Sequence, residues 1–268
     1  MGLNAKYGNI QIDGADMEYI RFGAGKRILV MLPGLGDSLR TLKGTQFPMA
    51  LMYRMFAKDF TVYAFSRRTH LPEGYTTRMM ARDQAEAMKQ LGIEKADIFG
   101  VSMGGMIAQY LAIDFPEKVN KLVLAVTSSR PNSILEESIE EWVGLAKAGD
   151  HTAFMESNLR RIYSEKYYRN NKWMLPLLGK LTKPKSYERL FVQAETCLNH
   201  NAYEELPRIK APVFFFFLEK DNALGGEPSR EIVEKIPNAR LLMYAQWGHG
   251  LYEEAKDFNR KVLDFLNE

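Results

Sequence analysis

Ala96-Asp97-Ile98-Phe99-Gly100-Val101-Ser102-Met103-Gly104-Gly105-Met106 is the stretch on which the reading of this chain turns. Ala96 to Phe99 reads as a short strand, and Met106 to Ile113 as a helix closed by Pro116. Between them stands Gly100-Val101-Ser102-Met103-Gly104, a G-x-S-x-G pentapeptide. The pattern alone is weak, since composition produces it by chance in about 6% of such chains. Its context is specific. A serine on a tight strand-to-helix turn is held proud of the sheet edge, and glycines on both sides avoid collisions with the turned backbone. Ser102 is therefore the candidate nucleophile.

Outward from this turn the chain alternates. Asn9–Ile12 and Met17–Phe22 flank Asp13-Gly14 as a hairpin. Arg27–Leu32 and Phe60–Phe65 are apolar on both faces, as strands covered by helices are. Helices are expected over Phe47–Lys58 and from Thr76 or Thr77 to Leu91, and Lys121–Val126 is the next strand. Strand and helix in alternation mean βαβ units and a largely parallel sheet.

From about 131 to 207 no strand is expected. Ser133–Ala148, Thr152–Tyr167 and Ser186–Asn199 read as helices, with Pro176 and Pro184 breaking the chain between them. The alternation then resumes with the strand Pro212–Leu218, the helix Pro228–Lys235, the strand Arg240–Ala245 and a closing helix Glu253–Leu266. The expected organisation is an α/β core of 1–130 and 208–268 with a helical insertion, 131–207.

A serine hydroxyl needs a base, and the chain has four histidines: His70, His151, His200 and His249. On this kind of turn the serine is followed by the acid and then by the histidine, which removes His70. His151 and His200 fall in the helical insertion. His249 follows the last strand directly, at the carboxyl edge of the sheet where Ser102 also sits. The acid that fixes its tautomer must follow a strand as well. Glu219-Lys220-Asp221 offers Asp221 or Glu219, and Asp221 is favoured because it lies further into the loop. Backbone N–H groups of Met103, at a helix start, and of Leu35, in Pro33-Gly34-Leu35-Gly36, are the expected oxyanion donors.

These residues resemble the α/β-hydrolase superfamily, over essentially the whole chain, in its form with a helical cap inserted after the sixth strand. The resemblance implies an eight-stranded, mostly parallel sheet whose second strand is antiparallel. It also implies a hydrolase with a Ser-His-Asp triad. Two segments depart from the pattern: Pro33-Gly34 stands where many members have His-Gly, and Ser66-Arg67-Arg68-Thr69 where many have Asp-x-Arg-Gly.

Composition narrows the classes that remain. The chain of 268 residues has 46% hydrophobic and 26% charged residues and a net charge of +3, with no basic stripe read for nucleic acid. No apolar run is long enough to span a membrane, and the first residues carry no secretory core. The single Cys197 reads as packing, and no ligand cluster suggests a metal or cofactor. A cytoplasmic protein acting on a small molecule is expected, with its oligomeric state open. Trp142, Trp173 and Trp247 are the candidate pocket residues, although tryptophans between helices commonly serve packing. Tyr167 and Tyr168 with nearby cations read as a solvated face, and His70 beside Arg67 and Arg68 as loop polarity. The expected reaction is hydrolysis of a small hydrophobic ester or thioester. C–C bond hydrolysis, acyl transfer, lyase chemistry and a slow ligand-binding receptor are the alternatives.

Overall fold

The computed structural model describes residues 3–219, 221–237 and 239–268. Eight strands form one sheet: β1 Lys6–Ile12, β2 Ala15–Phe22, β3 Arg27–Leu32, β4 Phe60–Arg68, β5 Ala96–Val101, β6 Val119–Ala125, β7 Val213–Leu218 and β8 Ala239–Tyr244. Their spatial order is β1-β2-β4-β3-β5-β6-β7-β8. β2 runs antiparallel to both β1 and β4, and every later pairing is parallel. The β1–β2 hairpin turns at Asp13 and Gly14, both with positive φ, as a two-residue turn matched to strand twist requires.

The helices of the core are α1 Gln46–Met52, α2 Thr77–Gln90 and α3 Met103–Asp114, followed after β7 by α9 Glu227–Lys235, α10 Leu251–Glu254 and α11 Phe258–Asn267. Between β6 and β7 lie α4 Ser133–Lys147, α5 His151–Ile162, α6 Glu165–Asn171, α7 Leu175–Leu181 and α8 Glu188–Leu198. One apolar cluster joins a sheet face to α2, α3 and residues of α4 and α8, while a second joins the other face to α11 and the α1 region. With both faces covered, the central strands are apolar throughout: all of β5 is buried. α3 is buried from Met103 to Ile113, so it has no solvent face.

Several boundaries differ from the sequence reading. The segment 47–58 is α1 followed by a separate turn at Phe56–Lys58, with Tyr53 and Phe56 turned into the core. Ser66, Arg67 and Arg68 are the end of β4 and are buried, not a loop. The helix expected over 152–167 is two helices, because Tyr163 is extended and the Ser164 hydroxyl caps α6. The break is fastened from outside: Gly250 N–H donates to Ile162 O at 2.6 Å, and Ser164 N–H donates to Glu254 at 2.9 Å. Pro176 does not break a helix but sits in the first turn of α7, where its missing N–H costs nothing. The closing helix is likewise divided into α10 and α11 around an extended Ala255.

Candidate active site

β5 delivers Ser102 to the carboxyl edge of the sheet. Its φ of 54° and ψ of −124° lie in a region that non-glycine residues rarely adopt. The neighbouring strand holds it there, since Ser102 N–H donates to Ala125 O at 2.9 Å. Val126, the next residue along that neighbour, also has a positive φ of 47°. The flanking glycines are required by close approach. A methyl group on Gly104 would lie 1.9 Å from Leu32 O, and one on Gly100 would lie 2.6 Å from Gly104 O. Gly34 is also close to the serine, since a methyl there would lie 3.3 Å from Ser102 Cβ.

Of the four histidines, His249 alone is paired with a carboxylate among the described residues. Its Nδ1 lies 2.8 Å from Asp221 Oδ2, and both side chains are buried. Asp221 Oδ1 accepts from the N–H groups of Ala223 at 2.8 Å and Leu224 at 2.9 Å, which holds the carboxylate in place. Glu219, the other acid considered, is exposed, and Lys220 lies outside the described residues. Gly248 and Gly250 let the histidine loop approach α5: a methyl on Gly248 would lie 3.0 Å from Ile162 O, and one on Gly250 would lie 2.7 Å from the Tyr163 ring.

The other histidines have different surroundings. His200 is buried, with Nδ1 2.8 Å from Thr77 Oγ1 and its ring edge-on to Tyr110, and burial pushes its pKa down to about 3. His151 lies between Thr182 and Tyr187, at 3.1 and 2.7 Å, and burial lowers its pKa too. His70 is exposed.

Ser102 and His249 line a common cavity with Leu35, Met103 and Met106. The helical insertion adds Leu135, Ile139, Trp142 and Cys197, and the loop after β7 adds Ala223 and Leu224. The cavity encloses about 300 Å³ of space between atoms, part of it open to solvent. Its wall is apolar apart from Ser102, His249, the Trp142 indole and the Cys197 thiol, and no Lys, Arg, Asp or Glu side chain lines it. Trp142 lines this cavity. Trp173 does not, being 74% exposed on the outside of the insertion, and Trp247 is partly buried against the second apolar cluster. Both are removed from the pocket because they belong to other faces of the molecule. Cys197 faces the cavity at the end of α8, and burial pushes its thiol up to about 12, so it stays protonated.

Leu35 begins a short helical turn, Leu35–Leu39, and Met103 begins α3. First-turn N–H groups have no acceptor within their own helix, and Leu35 and Met103 both line the cavity. What holds the Leu35 loop was not legible beforehand. Arg67, fully buried at the end of β4, donates through Nη2 to Pro33 O and through Nη1 to Gly34 O, the latter at 3.5 Å. Asp37, in the same turn, lies 3.6 Å from Arg67 and accepts from Ser66 Oγ at 2.8 Å and Arg67 N–H at 3.2 Å. Arg189 of α8 comes to 3.6 Å from the same carboxylate. Burial lowers the Arg67 pKa and Asp37 counteracts it. The segment that departs from Asp-x-Arg-Gly is therefore the support of the Leu35 turn. Its neighbour Arg68 binds Asp83 at 3.0 Å and Asp13 at 3.2 Å, behind the site. The sequence signal for Arg67 was a pair of cations, Arg67 and Arg68, directly after the apolar run Phe60–Phe65.

Among the described residues no group of three or more His, Cys, Asp or Glu side chains is arranged to hold a metal ion. The chain is similar to several known proteins. A hydrolase of 2-hydroxy-6-oxononadienedioate and 2-hydroxy-6-oxononatrienedioate from Burkholderia vietnamiensis is 27% identical over 277 residues, covering 98% of this chain and 95% of the relative. The enol-lactonase from Burkholderia xenovorans superposes with a TM-score of 0.82 at 24% identity, over 97% of this chain and 100% of the other. MGS-M2, an alpha/beta hydrolase enzyme from a deep-sea metagenome library, superposes with a TM-score of 0.84 at 23% identity, over 97% and 98%. The family model for the alpha/beta hydrolase fold matches residues 27–256, and the chain belongs to that family.

Proposed function

We propose that this hydrolase cleaves a small, hydrophobic ester or thioester through an acyl-enzyme on Ser102. The observation that carries the reading is the buried His249–Asp221 pair, 2.8 Å apart, with His249 lining the same cavity as Ser102. The carboxylate occupies Nδ1, which leaves Nε2 to accept the Ser102 proton. Ser102 Oγ forms a bond to the acyl carbon, and the carbonyl electrons move to oxygen, where the Leu35 and Met103 N–H groups receive them. His249 then passes its proton to the departing alcohol or thiol. Water repeats the sequence against the acyl-enzyme, with its proton going to His249 and then to Ser102, and the carboxylic acid leaves. The core, 1–130 and 208–268, supplies the reacting groups, and the insertion, 131–207, supplies the acyl wall.

The apolar lining favours this substrate class over an acid. A dicarboxylate of the kind named for the Burkholderia vietnamiensis relative would meet no cation on the cavity wall as described. A p-nitrophenyl ester series of increasing acyl length, with fluorophosphonate labelling, tests the proposal. Turnover of short esters and labelling abolished in Ser102→Ala are expected. Folded protein that resists labelling would overturn the nucleophile. Cleavage of a vinylogous diketone with no ester turnover would replace the substrate class by C–C hydrolysis. Ligand binding without turnover, unchanged in Ser102→Ala, would indicate a receptor.

A further inference from the structure

The net charge of +3 conceals a local imbalance. Residues 166–187 contain Lys166, Arg169, Lys172, Lys180, Lys183 and Lys185, and no acid. All six cations are exposed. Glu165 offsets one of them, pairing with Arg169 at 2.7 Å. The same segment holds Trp173, Leu177 and Leu181, exposed by 74%, 60% and 73%. Their spacing of four places them along one stripe of the helical backbone that runs from Lys172 through α7.

Packing fixes the outward direction of this stripe. Leu175 and Gly179 are the buried residues of α7, and a methyl on Gly179 would lie 2.4 Å from Thr152 Oγ1 of α5. α7 therefore cannot rotate to bury the stripe without losing that fit. A large indole and two leucines remain in water, in a segment whose charges are all cationic.

We propose that this face of α7 docks the protein on an anionic lipid surface. Apolar side chains that enter the headgroup boundary, flanked by cations that meet lipid phosphates, are the two components of interfacial binding. No helix among the described residues is long and apolar enough to cross a membrane, so the contact is peripheral. A second copy of the chain is a poorer occupant, because two-fold pairing through this face brings both sets of cations together. A nucleic acid answers the charge and leaves the three apolar side chains without an apolar medium.

The test is co-sedimentation with vesicles of phosphatidylcholine alone and with roughly one-third phosphatidylglycerol, at about 0.05 M and about 0.5 M salt. Partition onto the anionic vesicles should be at least about tenfold stronger, and should weaken at high salt as screening shortens the reach of the lysines. Trp173→Ser, Leu177→Ser and Leu181→Ser combined should lower partition by about tenfold with the melting temperature retained. Lys180→Glu with Lys185→Glu should remove the preference for anionic lipid. The wild-type fluorescence should shift to the blue on binding, and the shift should vanish in Trp173→Phe. Equal partition onto both vesicles, or onto neither, overturns the proposal. So does a dimer that the triple variant abolishes, or RNA binding by protein that ignores both vesicles.

Discussion

The carboxyl edge of the sheet and the helices between β6 and β7 meet at one cavity but are constrained in different ways. At the sheet edge each position is bounded by a neighbouring strand or turn. Leu32 leaves no room for a side chain at Gly104, Ala125 holds the Ser102 N–H, and Arg67 holds two carbonyls of the Leu35 turn. In the insertion, the cavity is bounded by Leu135, Ile139 and Trp142, whose contribution is shape. On the outer face of the insertion Trp173 stands in water, away from the cavity. Changes at the edge should therefore alter the rate of chemistry, and changes in the insertion should alter the choice of substrate.

Substitutions can break this contrast, beginning with the largest effect. Ser102→Ala should lower kcat for a p-nitrophenyl ester by at least about 10⁴-fold while the fold persists, measured by initial rates alongside circular dichroism. Asp221→Asn keeps the shape but offers His249 the wrong hydrogen-bonding partner, so a loss of about 10³–10⁴ in kcat is expected with KM little changed. Arg67→Met should cost about 10- to 100-fold in kcat by loosening the Leu35 turn. An unchanged KM would locate that loss in the reaction itself. The same variant leaves Asp37 with Arg189, also 3.6 Å away, as its one remaining cation among the described residues, and should lose about 3 kcal/mol in chemical denaturation.

Trp142→Leu enlarges the acyl wall and should move the preferred ester chain length upward by about tenfold in relative kcat/KM. An equal loss on all esters would show instead that the insertion shapes the reaction, and the contrast would fail. The last effect concerns pH and lies away from the chemistry. His200 binds its proton less readily when folded, with a pKa near 3, than when unfolded, near 6.5. The unfolded state thus holds more protons between these values. Stability is complete above about pH 6.5 and falls with acidification towards pH 3, by up to about 1.4 kcal/mol per unit. His200→Phe should flatten the melting temperature over that window, and a slope identical to wild type would refute the assignment.

Legibility followed the range of the interactions. The β1–β2 hairpin and the Ser102 turn depend on contacts within a few residues, and those are written in Asp13-Gly14 and in the G-x-S-x-G spacing. The division at Tyr163 was not legible, because the groups that fasten it, Gly250 and Glu254, are about ninety residues away. Arg67 was read as part of a loop, although its carbonyl partners belong to a turn after a different strand. Trp142 and Trp173 looked equivalent in the sequence, since each lies in a helical segment rich in apolar residues.

By itself the sequence determined the α/β alternation, the position of Ser102 and the histidine and acid that could follow it, since periodicity, turn chemistry and chain order are local properties. Only the tertiary structure decided that Asp221 and not Glu219 meets His249, that Trp142 faces the cavity while Trp173 faces water, and that a buried arginine supports the Leu35 turn. The physical reason is common to all three. Each depends on which of two nearby side chains points toward a partner distant in the chain, and packing between elements settles that direction.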